Sequence, residues 1–274
     1  MTIASLLVSI AAPGVRNAAR GIRWALGTIV VLGAFGCSGG RDDTASITPP
    51  LAPVPPLAPE PPLDVSGWVT TFDGAIPLVL LAAHGGEISP ATLPDRSCAG
   101  CVTLNDANTA ALLYAISDAF QQRIGRRPYV VVNRLHRRKF DANRDRAEAT
   151  GGHAPLDPMW DQWQARTDTA KARALRVHPR ALLLDVHGHA HAVPRLELGY
   201  LLTGEQLRLT DALLGPLLAS SSIARLDSVG RAGARGAPML RGKLAFGTRL
   251  AALGYPAVSY THLRAHETKA NLVC

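Results

Sequence analysis

The sequence predicts an α/β domain built around a largely parallel or mixed sheet. Three observations carry that reading. Two short apolar runs, residues 78–83 (LVLLAA) and 181–186 (ALLLDV), read as buried strands. The stretch between them holds a helix-period apolar stripe and a third apolar run. Strands that alternate with helices in this way argue for a sheet with helices packed on it. No internal repeat interrupts the order.

Taken from the start, the first 37 residues read as an export leader. Arg16, Arg20 and Arg23 form a positive region, and residues 24–35 an apolar region of signal-peptide length, short for a membrane span. The leader ends Ala34-Phe35-Gly36-Cys37, which resembles a bacterial lipobox, with Cys37 as the lipidated residue. An uncleaved membrane anchor is the alternative, and it too gives an envelope protein. Residues 1–14 are apolar and precede the positive region, so translation is expected to begin nearer Val15. Residues 38–62 are small polar residues followed by dense proline, an extended tether that cannot form a core.

The folded domain is expected over residues 63–258. A strand over 65–72 ends at the Asp73-Gly74 turn, and a strand over 76–83 follows. Residues 90–102 form a loop carrying Cys98-Ala99-Gly100-Cys101. A cytosolic C-x-x-C would suggest redox or zinc chemistry, whereas an exported chain favours a local disulfide. Asn105 or Asp106 is expected to cap a helix running to about Arg123, with Leu112, Leu113, Ile116, Phe120 and Ile124 as its apolar stripe and Gly125 as its stop. Further strands are expected over 128–133 and 196–202, and further helices over 160–177, 210–221 and 240–253.

Both buried runs end in histidine. After 78–83 come His84-Gly85-Gly86-Glu87, and after 181–186 come His187-Gly188-His189-Ala190-His191. On a helical turn His84 and Glu87 would project from one face. An imidazole and a carboxylate close in sequence, with a distant third ligand in His187, is a frequent plan for a catalytic zinc that keeps one open position. From spacing alone the same residues equally suit a polar strand end. His189 and His191 suit second-sphere donors, a proton shuttle or, more commonly, a polar loop. Asp185 shares a strand face with His187 and could orient it; Glu197 has no evident role.

Composition narrows the function. Hydrophobic residues at 47% and charged residues at 18% fit a globular protein. The formal charge of +8 would suggest nucleic acid only if cations clustered with aromatics, and aromatics are 5% with arginines spread along the chain. No nucleic-acid partner is expected. Arg134, Arg137, Arg138 and Lys139 form the one dense basic run. They read as surface charge, or as positive potential beside an anionic substrate.

Five motifs in order resemble the N-formylglutamate amidohydrolase family, relatives of the zinc carboxypeptidases: AHGGEISP (83–90), LNDANT (104–109), VVNRLHRRKFDANR (131–144), LLLDVHGHAH (182–191) and LELGYLLTG (196–204). The resemblance covers roughly residues 66–256. It implies a three-layer α/β/α sandwich with a mixed, largely parallel central sheet. It implies one zinc ion held by His84, Glu87 and His187. It also implies an Asn143-Arg144 pair that grips a substrate carboxylate, a role suited to the planar guanidinium fork. Without the resemblance, Asn143-Arg144 reads as a solvated turn.

The activity so implied is zinc-dependent hydrolysis of an amide bond next to a carboxylate, on a small amide or short peptide at the bacterial envelope. The general-base glutamate of the relatives lies on a late strand, and it is expected beyond residue 258. The last 16 residues, 259–274, depart from the family pattern and resemble a translated sequencing adapter, so the natural domain is expected to continue differently. A non-catalytic peptide- or metal-binding lipoprotein on the same fold is the main alternative, and an envelope scaffold the third.

Overall fold

The computed structural model describes residues 2–11, 67–229 and 236–259. They belong to one compact unit; a second unit, Gly14–Pro59, lies outside the described residues. So do Cys37, the proline-rich tether, and all of the adapter-like tail but Ser259.

Seven strands form one mixed sheet in the order β2-β4-β3-β5-β1-β6-β7. They are β1 (Thr2–Ala11), β2 (Val69–Phe72), β3 (Leu78–Ala82), β4 (Tyr129–Asn133), β5 (Arg180–His189), β6 (Leu196–Gly199) and β7 (Ala257–Val258). The pairs β3–β4, β3–β5, β1–β5 and β6–β7 are parallel, and β2–β4 and β1–β6 antiparallel. The sheet is therefore mixed and mostly parallel, as the sequence led one to expect.

The side-chain period of two sorts β3 and β4 between two core clusters. Val79, Leu81 and Val131 pack with Met159, Trp163, Ala170 and Ala174 of α3 (Asp157–Val177). Leu80, Ala82, Val130 and Val132 pack with Leu113 of α1 (Thr109–Ile124). Removing a fully buried side chain as large as Trp163 would cost about 3–5 kcal/mol. A third cluster gathers Val8, Leu198, Leu214, Leu218 and Leu240 around β1 and β6.

Several elements differ from expectation. α1 starts after Asn108, which sits in the left-handed region at φ 65°, while Asn105 and Asp106 are used elsewhere. The strand expected over 196–202 stops at Gly199, where Leu201 takes φ 59°. The helix expected over 240–253 divides into Pro238–Arg241 and Phe246–Ala252. The largest difference is β1. Residues 2–11 were expected to precede an export signal, yet they occupy the middle of the sheet between β5 and β6.

Candidate metal centre

The chain leaves β3, crosses through α1 to β4 on one side, then returns through α3 to β5 on the other. Successive connections that diverge from one strand open a crevice at the carboxyl ends of the strands, the usual ligand position in such sheets. His84 follows β3 at that crevice, and His187 lies near the carboxyl end of β5.

A third loop closes the site. The N–H of Asp106 donates to the His84 carbonyl at 3.0 Å. Asn105 donates from Nδ2 to the Gly86 carbonyl at 2.5 Å and accepts the Arg137 N–H at 2.8 Å. These bonds fix Asp106 over the histidines. The loop lies so close that a Cβ on Gly188 would meet Asp106 Cβ at 3.2 Å.

The result is a buried triangle. His187 Nδ1 lies 2.9 Å from Asp106 Oδ2, His84 Nδ1 lies 3.2 Å from the same oxygen, and the two Nδ1 atoms are 3.1 Å apart. The outward nitrogens are held by carboxylates. His84 Nε2 donates to Asp141 Oδ1 at 2.6 Å, and His187 Nε2 lies 3.3 Å from Asp185 Oδ2. Asp141 is itself gripped by Arg137 Nε at 2.9 Å and Arg96 Nη2 at 3.4 Å, and Arg137 also reaches Asp106 Oδ1 at 3.4 Å.

Charge is balanced tightly in this small space. Burial pushes the Asp106 carboxyl up, but hydrogen bonds from His187 and His84 outweigh it and hold the group far below the usual carboxylate range. Burial likewise raises Asp141, and His84, Arg137 and Arg96 together pull it well down. For His187 burial disfavours the cation, yet Asp185 and Asp106 overrule it and raise the imidazole to about 10. The imidazolium form of His187 is thus favoured by the carboxylates on its two sides, Asp185 and Asp106.

The sequence-expected residues divide. His84 and His187 meet as anticipated. Glu87 does not join them: it is exposed and lines a separate cleft of about 400 Å³ with Gly86, Tyr114 and Arg134. The reason is local. Residues 86–88 continue as extended chain rather than a helical turn, with Ile88 N–H bonded to the Arg134 carbonyl at 2.9 Å and His136 N–H to the Ile88 carbonyl at 2.8 Å. In extended chain, positions three apart face opposite ways. Gly86 serves this pairing, because a Cβ there would collide with the Arg134 backbone. Asp106 stands where Glu87 was expected.

Asn143 is buried beside the triangle, its Nδ2 3.4 Å from His187 Nε2 and its Oδ1 without a hydrogen-bond partner among the described residues. Arg144 pairs through Nε with Glu148 at 3.1 Å and lies 3.9 Å from Asp141. Cys98 and Cys101 form a disulfide. Arg96 connects that loop to the site, with Nη1 3.7 Å from Cys101 Sγ and Nη2 bonded to the Val102 carbonyl at 2.8 Å. Arg137 and Lys139, expected at the surface, are buried; Arg134 and Arg138 are exposed.

Sequence reasoning passed over Asp106, Asp141, Arg96 and Arg137 as site residues. A signal was present for Asp141, two positions before Asn143 in the same motif, and for Asp106 inside LNDANT. Nothing local marked Arg96. Comparison with known proteins adds no further constraint: no family model, no curated protein and no solved structure matches the chain.

The donor set suits a divalent cation. Tetrahedral zinc with donors at about 2.0–2.2 Å holds them about 3.3–3.5 Å apart. The observed edges of 2.9, 3.1 and 3.2 Å need only a slight expansion. Three donor atoms converge on one buried point here, and a cation would join them. Two histidines whose outer nitrogens face carboxylates are the usual second sphere of a metal ligand.

Proposed function

We propose that the chain is a metal-dependent amidohydrolase with one zinc bound by His84 Nδ1, His187 Nδ1 and Asp106 Oδ2. The observation that carries this reading is the buried triangle of donors with both outer nitrogens carboxylate-bound. Three protein ligands leave one position for water or substrate. When bound, the zinc supplies Lewis acidity to an amide carbonyl and lowers the pKa of water to about 7.

The residues of the chain do the rest. Asp141 and Asp185 fix the imidazole orientations. Arg137 and Arg96 neutralise the buried carboxylates, so the site keeps its form before metal arrives. Asn143, with an unpartnered amide oxygen beside His187, orients a substrate group, and Arg144 contributes positive potential for a carboxylate. The substrate class is an amide or short peptide with a carboxylate near the scissile bond. The N-formylglutamate amidohydrolase resemblance and a three-layer α/β/α arrangement, with α3 and α1 on opposite sides of β3 and β4, belong to the same reading. So does placement at the bacterial envelope through lipid on Cys37.

A non-catalytic binding role has one observation in its favour. Among the described residues no glutamate bonds to His84 or His187: Glu148 pairs with Arg144, and Glu197 with Arg195 and His191. Purified full-length chain loaded with zinc, assayed on a panel of N-acyl amino acids and dipeptides, separates the two. Hydrolysis lost in His84→Ala supports the enzyme. Zinc-dependent ligand binding without turnover supports the binding protein.

A further inference from the structure

We propose a second divalent-metal site, of the zinc type, formed by His189, His191 and Glu197. These residues do not share a hydrogen bond with the first triangle. Glu197 on β6 stands opposite Ser9 of β1, which stands opposite His187 of β5, so the row places Glu197 on the same sheet face as His187 two strands away. His189 lies two residues further along β5 on that face. One donor atom from each of the three side chains lies within 4.8 Å of the others.

The donors are prepared for an ion. Glu197 is fully buried, and its two oxygens are used separately: Oε1 accepts from Arg195 Nε at 3.1 Å, and Oε2 accepts from His191 Nδ1 at 2.9 Å. His189 Nε2 lies 2.9 Å from the Arg195 carbonyl, which can only accept, so Nε2 carries the hydrogen and Nδ1 presents the lone pair. Among the described residues that lone pair meets only the His191 backbone N–H, at 3.2 Å. A histidine whose far nitrogen donates to a backbone carbonyl is the ordinary second-sphere arrangement of a ligand. The two imidazole rings lie 4.7 Å apart and tilted by 34°. The His191 side chain is 55% exposed, which gives the ion a way in and lets this ring close the set. Two imidazoles and one carboxylate with an open fourth position are a donor set suited to zinc. An ion replaces the Nδ1 hydrogen of His191 and joins Glu197 Oε2 while Arg195 keeps Oε1.

The test is zinc stoichiometry and calorimetric titration on the full chain, in wild type, His191→Ala, His84→Ala and the double variant. His191 is 55% exposed, so its removal opens no core cavity, and circular dichroism checks that the fold is kept when Glu197 loses this partner. Two zinc ions per wild-type chain, one in each single variant and none in the double are expected. One ion in the wild type that survives His84→Ala but not His191→Ala would still support this site while removing the first. Unchanged stoichiometry in His191→Ala overturns the proposal.

Discussion

Two histidine clusters lie near the carboxyl end of one strand, and they are built differently. In the first, His84 and His187 are buried, their far nitrogens face Asp141 and Asp185, and two buried arginines hold Asp141. In the second, one histidine is exposed, the other leans on a backbone carbonyl, and a single arginine holds the carboxylate. The first is fixed before any ion binds, at the cost of concentrating charge in the interior. The second keeps one of its histidines at the surface. Rigidity at such a site comes from the partners of the histidines and carboxylates more than from those groups themselves.

The comparison breaks most sharply at the arginines. Arg137→Leu leaves Asp106 and Asp141 short of a buried partner and is expected to cost about 3–5 kcal/mol in chemical denaturation. Arg195 is 23% exposed, and Arg195→Leu should cost clearly less, although Glu197 is buried. Equal losses would mean the two clusters are equally preorganised.

Next in size is pH. His187 is raised to about 10 in the metal-free fold, so its contribution is fully present below the unfolded value near 6.5 and is lost as pH rises toward 10. Metal-free protein should therefore lose on the order of a few kcal/mol between pH 7 and 10. Zinc-loaded protein, where His187 is neutral by coordination, should stay nearly flat across the same range. Asp106 and Asp141 are lowered, so their contribution is present above about pH 4 and fades in acid. Thermal melts with and without zinc from pH 3 to 10 read both limbs, and identical alkaline slopes would contradict the assignment of His187 as a ligand.

Smaller still is the second sphere. Asp141→Asn should weaken zinc binding about 10–100-fold at the first cluster, by analogy with other second-sphere losses. The same variant should leave any binding at His189 and His191 untouched, which competition with a chromophoric chelator would show.

β1 sets the structure against one sequence expectation. Cleavage before Cys37 would remove residues 2–11 from between β5 and β6. The leader reading rested on residues 16–37, which say nothing about the segment before them. Apolar residues 2–11 suit both a leader and a buried strand, because either environment rewards the same side chains. Mass spectrometry of the chain recovered from a bacterial envelope would show whether β1 remains with the domain.

The rest of the fold was legible to the extent that its cause was local. The runs at β3, β4 and β5 stand out because buried parallel strands are apolar on both faces. The helix expected over 160–177 forms over 157–177, and the stripe of α1 was legible in part: Leu113 is buried with Leu112 and Ile116 packed beside it, whereas Ile124 is exposed. The site was legible at His84 and His187, each marked by a strand ending in histidine. It was not legible at Glu87, because a three-residue spacing fixes a shared face only on a helix, and pairing with residues 134–136 keeps that segment extended. Asp106, Arg96 and Arg137 converge through loops far apart in sequence. Their burial depends on pairing with one another, which no single stretch encodes.

The claim on which the account turns is that Asp106, rather than Glu87, completes the metal site with His84 and His187. Zinc content of Asp106→Asn and Glu87→Gln, measured side by side in a His191→Ala background to remove the second cluster, tests it directly. About one zinc per chain is expected in Glu87→Gln, and an affinity more than about 100-fold weaker in Asp106→Asn, beyond what loss of a residue behind the ligands costs. Zinc retained in Asp106→Asn and lost in Glu87→Gln would contradict it.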